Sequence, residues 1–148
     1  SAMNDGVLRL DKASRFVPMD YFDALKVDRK PACGDVLFSV TGSIGIPALV
    51  ENSASFVFQR HIAILKPNTT RVLSKFLRYR LEADDIKAQG EEVATGTAQL
   101  TIPLGGLRAF SFELPSLEEL ELLAIFSGIN ASGGAEALFK ECLVAFRG

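Results

Sequence analysis

Short apolar runs broken by glycine and proline dominate the first half of the chain, and they predict β-strands. The four predicted strands are residues 35–40, 46–50, 55–58 and 61–65. Residues 41–45 separate the first two with two glycines, and Pro47 favours a neighbouring or edge position for the second. Residues 66–68 end the fourth strand with turn-forming side chains. Upstream, residues 21–25 fit a short helix and a strand entry equally well.

A helical period replaces the strand pattern from Thr70 onwards. Apolar side chains recur on one side of this predicted helix: Leu73, Phe76, Leu77 and Leu81. Thr70 and Ser74 are alternative N-caps, and Gly90 predicts the C-terminal end of the helix.

The last third of the chain mixes extended and helical patterns. Its first segments are a loop over residues 91–99, an extended piece over 100–103 and an alternating strand over 107–114. Ser116 and Glu119 then form a capping box, which predicts a helix to about residue 126, and residues 135–146 predict a final helix. We therefore predict an α+β fold: one small domain with a twisted, mostly antiparallel sheet and a packed helix, followed by a helical C-terminal tail.

The chain of 148 residues is long enough for one domain with an apolar core, since 48% of its residues are hydrophobic. No apolar run approaches the ~20 residues that a membrane span needs, and the N-terminus shows no secretory signal. Residues 1–3 look like a cloning remnant ahead of a natural start at Met3. The two isolated cysteines, Cys33 and Cys142, favour a reducing, cytoplasmic location in which each is a small core residue; a disulfide between them is the alternative.

The net charge of −2 hides a strong polarity along the chain. Residues 1–80 contain 12 Lys and Arg against 7 Asp and Glu (+5), whereas residues 81–148 contain 4 against 11 (−7). Residues 52–81 contain no acidic side chain and six basic ones: Arg60, Lys66, Arg71, Lys75, Arg78 and Arg80. Because the segment itself contains no carboxylate, it predicts a basic face for a polyanion, with an ordinary uneven surface as the alternative.

Five segments in a fixed order across residues 34–119 carry a resemblance to a known family. They are GDVLFS and TGSIG within residues 34–45, FQRHIAILKP at 58–67, KFLRYRL at 75–81, ATGTAQ at 94–99 followed by Ile102, Pro103 and Leu107, and LPSLEE at 114–119. Together they resemble the target-recognition domain of the specificity subunit of type I restriction-modification systems.

The resemblance implies sequence-specific DNA recognition without catalysis, by a specificity component that directs a partner methyltransferase and nuclease. Residues 4–115 would form the DNA-binding target-recognition domain, and residues 116–148 a helical tail like a shortened spacer or dimerisation element. The implied partners are double-stranded DNA and the methyltransferase and restriction subunits, which use S-adenosylmethionine and ATP. This chain itself would hold no cofactor and contact no membrane.

The chain departs from the family in three respects. It has a single recognition domain, it has Leu120 where the family usually has Gln, and its tail is short and interrupted by glycines. These departures leave a homodimer through the C-terminal helices as an alternative to methyltransferase docking.

Eleven side chains are candidate DNA contacts: Thr41, Ser43, Gln59, Arg60, His61, Arg71, Lys75, Arg78, Thr95, Thr97 and Gln99. On a helix, Arg71, Lys75 and Arg78 would share one face, which suits phosphate contacts and strongly salt-dependent binding. A plain solvated face is the alternative.

The remaining candidates are polar groups suited to base edges. Gln59, Arg60 and His61 can all read bases, although strand alternation would turn Arg60 away from the other two. The polar side chains of residues 94–99 can bond to phosphate or base, or cap their own loop. For the glycines of residues 41–45 we favour a tight turn over a close approach to DNA.

Enzymatic functions find no support in the residue pattern. No Gly-Lys-Ser/Thr follows the glycines of residues 41–45, which excludes a phosphate-binding P-loop. His61, the only histidine, has no nucleophile motif around it, and no residues have metal-site spacing, so a small hydrolase is disfavoured. The alternative to DNA recognition is a degenerate specificity-like scaffold that dimerises through its helical tail without binding DNA.

Overall fold

A β-sheet of short strands forms the centre of the protein. The computed structural model describes residues 3–4, 7–8, 17–52, 55–58, 61–116, 118–119 and 122. Within them the strands are β1 (Met3–Asn4), β2 (Val7–Leu8), β3 (Val36–Ser39), β4 (Pro47–Leu49) and β5 (Ile62–Leu65). They lie in the order β1-β2-β4-β3-β5, and every neighbouring pair is antiparallel except β2 with β4. The sheet is therefore mostly antiparallel, as predicted.

Helices accompany the sheet and confirm the α+β fold class. They are α1 (Met19–Ala24), α2 (Ser74–Arg80), α3 (Asp84–Val93) and α4 (Leu104–Arg108), with a 3-10 turn at Val27–Arg29. The first of them contains residues 21–24 of the ambiguous segment, and Leu25 after it is extended. The tail predicted from residue 116 onwards lies almost entirely outside the described residues.

The central strand β3 is buried on both faces. Val36 and Phe38 point into a cluster that contains Phe76 of α2 and Ile86 of α3. Leu37 points the other way, into a second cluster with side chains from β1 and β4. Because successive side chains of a strand alternate between faces, double-sided burial requires an unbroken apolar run, and residues 36–38 supply it.

Three of the four predicted strands are confirmed, because β3, β4 and β5 fall within the predicted ranges. In register, Leu37 lies opposite Ile64 of β5, and Phe38 lies opposite Pro47 of β4. Pro47 is the first residue of its strand, a position where the missing N–H is tolerated.

The strand predicted at residues 55–58 is wrong. This segment has no regular structure, and its two aromatic rings, Phe56 and Phe58, meet edge to face with centroids 4.9 Å apart. Both rings are half-buried against the cluster around Leu37. Their apolar character therefore serves packing on the sheet rather than pairing within it.

The strand predicted at residues 107–114 is also wrong, although its alternation is real. Leu107 lies in α4, and the segment that follows is irregular. Phe110 and Phe112 pack against the core, as alternate residues of a strand would. The backbone of Ser111 pairs with a side chain instead of a strand: Gln89 Nε2 donates to Ser111 O, and Ser111 N donates to Gln89 Oε1, both at 2.9 Å.

The single helix predicted from Thr70 to Gly90 divides into α2 and α3. The N-cap position of α2 is Leu73, without a side-chain cap, so neither Thr70 nor Ser74 has the predicted role. Gly90 lies inside α3 and is buried, and a Cβ there would be 3.3 Å from Ile102 Cδ1. This glycine permits close packing and does not end the helix, which continues through three residues of the predicted loop.

Met3 and Cys33 differ in their burial, and the core position expected for Cys33 is wrong. Met3, the expected natural start, is only 4% exposed and packs in the cluster around Leu37. Cys33 is exposed rather than a core residue, and its Sγ donates to Glu51 O at 3.3 Å. Cys142 lies outside the described residues.

Two buried polar side chains tie the loops to the ends of β3. Before the strand, Asp35 accepts from Lys66 Nζ at 2.6 Å and from Ala32 N at 2.8 Å. At its last residue, Ser39 Oγ donates to Ser43 O at 2.6 Å and accepts from Ile46 N at 2.8 Å. The Ser39 hydroxyl thus closes the turn between β3 and β4.

We expect Ser39→Ala to lower the free energy of unfolding by about 1–3 kcal/mol, because the Ile46 N–H loses its acceptor. The matched control is Ser43→Ala, since Ser43 is exposed and accepts the Ser39 bond through its carbonyl. The control should change stability by less than about 0.5 kcal/mol. Urea denaturation of both variants tests this, and equal midpoints would contradict the role of the hydroxyl.

The predicted capping box is confirmed. Ser116 Oγ and Ser116 N each donate to Glu119 Oε2 at 2.8 Å, and Glu119 N donates to Ser116 Oγ at 3.3 Å. The hydroxyl bond first, and the backbone N–H bond second, lower the pKa of Glu119 from its ordinary value of 4.5. The carboxylate therefore stabilises this helix start above that value, and the contribution is lost as the pH falls through the lowered pKa.

Replacing Ser116 by Ala should move the pKa of Glu119 upward towards 4.5, because the larger of the two stabilising hydrogen bonds disappears. An NMR titration of the Glu119 side chain measures this shift. Ser111→Ala, a change at another exposed serine, should leave the titration unchanged.

Candidate nucleic-acid interface

The turn after β3 presents the first group of candidate side chains. Gly42 and Gly45 have φ values of +80° and +82°, a region that residues with a Cβ rarely adopt, which confirms the predicted tight turn. Between them, Ser43 is exposed, and Thr41 before them is half-buried. The glycines and the Ser39 hydroxyl together fix the direction in which this turn projects.

A second loop, residues 94–101, is joined to this turn by Thr101. Thr95 N donates to Thr101 O at 2.9 Å, and Thr101 N donates to Thr95 O at 2.8 Å. On its other side, Thr101 Oγ1 lies 3.4 Å from Thr41 Oγ1. Gly42 N donates to Leu100 O at 3.0 Å, so two segments far apart in sequence form one surface.

His61 adjoins the same end of the sheet. Its carbonyl accepts from Val40 N at 2.9 Å, and Val40 O accepts from Ile102 N at 2.8 Å. The side chain of His61 is exposed. We call the combined region the polar loop surface: Thr41, Ser43, His61, Thr95, Thr97 and Gln99.

The polar loop surface contains six of the eleven candidate side chains and no Asp, Glu, Lys or Arg. All of its members except Thr41 are exposed. Hydroxyl, amide and imidazole groups both donate and accept hydrogen bonds, which suits recognition of another polar surface more than it suits capture of a bare charge.

Arg71 and Lys75 lie at the opposite end of β3. Both are close in sequence to Ser74, which lies beside Gly34 just before the strand. A Cβ at Gly34 would be 3.5 Å from Ser74 Oγ. Thr41 follows the strand, and at ~3.3 Å per extended residue Gly34 and Thr41 are at most roughly 23 Å apart. Arg71 and Lys75 are both exposed, but they do not line the polar loop surface.

The expectation that no carboxylate neutralises the basic segment is wrong for three of its six members. Lys66 pairs with Asp35 at 2.6 Å, Arg78 pairs with Glu82 at 2.9 Å, and Arg80 pairs with Asp85. Each carboxylate lies outside residues 52–81 in sequence, and folding brings it to its partner.

Arg78 is buried and does not share an exposed face with Arg71 and Lys75. It is 6% exposed, and its guanidinium stacks on Tyr79 at 4.4 Å from the ring centroid. Arg71 precedes α2, so the helical spacing assumed for the three residues does not hold. In this arrangement Arg78 stabilises the fold. Gln59 and Arg60 lie outside the described residues.

Thr101 is the contact-forming residue that sequence reasoning missed. The sequence predicts only a short extended piece here, yet Thr101 bonds to Thr95 through its backbone and to Thr41 through its hydroxyl. One feature of the sequence indicates such a role: Thr101 is a β-branched residue in an extended stretch, and β-branched residues are enriched in paired strands. The neighbouring sequence does not identify Thr41 as the partner, because the two residues are sixty positions apart.

Comparison with protein-family models and with curated proteins finds no match for this chain. Among the residues that the structure describes, no helix is long and apolar enough to cross a membrane. The same residues contain no group of three or more His, Cys, Asp and Glu side chains that could hold a metal ion.

We expect Gly96→Ala to disrupt the second loop. Gly96 has φ +108°, and a Cβ there would collide with the carbonyl oxygen of Gln99. Strain of this kind costs about 1–3 kcal/mol. Faster hydrogen exchange at the Gly42 amide, which bonds to Leu100 O, would report the loosened loop.

The control for this variant is Gly105→Ala, where a Cβ would meet nothing within 4 Å. The control should leave the exchange rate of the Gly42 amide unchanged. Unchanged exchange in Gly96→Ala as well would contradict the coupling of the two loops.

Proposed function

We propose that this protein recognises specific sequences in double-stranded DNA through the polar loop surface. The observation that carries the proposal is that Thr101 joins the loops of residues 41–45 and 94–101 into one exposed polar surface. Both loops carry residues that the resemblance to specificity-subunit recognition domains implies as DNA contacts. Their convergence supports a common partner.

The chemistry of the surface suits base edges. The major groove presents donors and acceptors in a pattern that differs for each base pair, and hydroxyl and amide side chains can match it. A surface without formal charge adds little general affinity for DNA, so its contribution is discrimination between sequences. The exposed cations Arg71 and Lys75 supply contacts to phosphates farther along the same duplex.

The wider role follows from the resemblance. We propose that the chain is the non-catalytic specificity component of a cytoplasmic restriction-modification complex, in which it directs a methyltransferase and a nuclease to their DNA site. Cofactor chemistry would belong to those subunits. The C-terminal tail would provide the contact with them or with a second copy of the chain.

The alternative is a scaffold that has this fold and no affinity for DNA. The observation in its favour is the neutralisation of Lys66, Arg78 and Arg80 by carboxylates, in a chain whose net charge is already −2. Such a protein would present little positive potential to a polyanion.

Binding at low salt separates these functions, and its salt dependence counts the phosphate contacts, because each neutralised phosphate adds about 0.9 to the slope of log affinity against log salt. The two exposed cations described in the basic segment without an ion pair, Arg71 and Lys75, predict a slope of about −2, whereas six free cations would give about −5. We expect fluorescence anisotropy with a random-sequence duplex to give the smaller value. Lys75→Gln should reduce its magnitude by about 1.

The charge-matched control is Lys26→Gln, since Lys26 is also exposed but lies outside the basic segment. It should leave the slope unchanged. A complete lack of binding at low salt would refute DNA recognition by the isolated protein and favour the scaffold.

A further inference from the structure

The side-chain amide of Gln99 lies over the backbone of Gly42. A Cβ placed on Gly42 would be 3.1 Å from Gln99 Nε2, closer than an ordinary van der Waals contact. The two residues belong to the two loops that Thr101 joins. Gly42 therefore leaves the space that the Gln99 amide occupies.

This proximity places the amide of an exposed side chain beside the turn. Gln99 is exposed, so its amide is accessible to a partner from the outer side. Beside it, Gly42 N donates to Leu100 O at 3.0 Å, which ties the turn to the loop that contains Gln99. A glutamine that lies against a turn on one side has fewer conformations to lose on binding than a glutamine that is free on all sides.

Gln99 also differs chemically from the other members of the polar loop surface. An amide presents a donor group and an acceptor group side by side in a plane, whereas a hydroxyl rotates and can either donate or accept a hydrogen bond. That planar pair matches the N6 donor and N7 acceptor of adenine in the major groove. The other members are hydroxyls and the His61 imidazole, which lack this paired geometry.

We propose that Gln99 is a specificity-determining residue that reads an adenine in the bound duplex, and that Gly42 is the positioning residue that orients its amide. This inference rests on the proposed DNA recognition and adds the base and the residue that reads it.

The first experiment selects preferred duplexes from a random pool with the full-length wild-type protein and with Gln99→Ala. The wild type should select adenine at one position of its site. Gln99→Ala should lose about tenfold or more of that preference, with the other positions unchanged. Thr69→Val, a change at an exposed polar residue near Arg71, is the control and should retain every preference.

The second experiment tests the positioning role with two matched glycine variants. Gly42→Ala and Gly45→Ala impose similar backbone strain, because their φ values are +80° and +82°. Only the first meets Gln99; a Cβ at Gly45 has nothing within 4 Å. We expect similar losses in Tm, but a weaker adenine preference in Gly42→Ala alone.

The outcomes distinguish this inference from the function on which it rests. If the wild type binds no duplex, the proposed DNA recognition fails and the inference fails with it. If the wild type selects a sequence and Gln99→Ala selects the same one, DNA recognition stands and the role of Gln99 is refuted. If both glycine variants weaken the adenine preference equally, the positioning role of Gly42 is refuted.

Discussion

The burial of β3 on both faces is the constraint on which the other contacts depend. Its apolar side chains join two clusters, one under helices α2 and α3 and one against β4 and the N-terminal strand. A strand in this position cannot shift its register by one residue without exchanging its two sets of side chains. Its ends are therefore fixed, and polar groups at those ends can be held in definite places. Asp35 anchors the entry through Lys66, and Ser39 anchors the exit through the turn to β4.

The rigid exit of β3 explains how a surface of short polar side chains can be organised without a charge network. Gly42 N donates to Leu100 O, and the Thr101 hydroxyl bonds to Thr41, so these two contacts connect the turn to the loop of residues 94–101. Most polar side chains of these loops remain exposed, so the atoms available to a partner differ from the backbone atoms that stabilise the loops. Loops carried by a rigid scaffold are where binding residues commonly lie, and this arrangement leaves the Gln99 amide exposed beside the turn.

The charges are distributed differently over the folded molecule than along the sequence. Lys66, Arg78 and Arg80 find carboxylates that follow or precede the basic segment, and Arg78 becomes part of the buried structure. Among the other described cations of the basic segment, Arg71 and Lys75 are exposed, and they lie towards the end of β3 opposite to the polar loop surface. If DNA is the ligand, affinity and discrimination come from two regions at opposite ends of one strand.

The sequence by itself determined the features that depend on neighbouring residues. The apolar run of residues 36–38, the positive-φ turn at Gly42 and the capping box at Ser116 all follow from local backbone and side-chain chemistry. Tertiary structure alone decided which segments meet. It made Gly90 a packing position, hydrogen-bonded the backbone of Ser111 to the Gln89 side chain, paired Lys66 with Asp35 and brought Thr101 to Thr41. The physical reason is that packing and ion pairing depend on which residues become neighbours in space. A sequence pattern shows that a side chain will be buried or paired, but it does not identify the distant residue that it contacts.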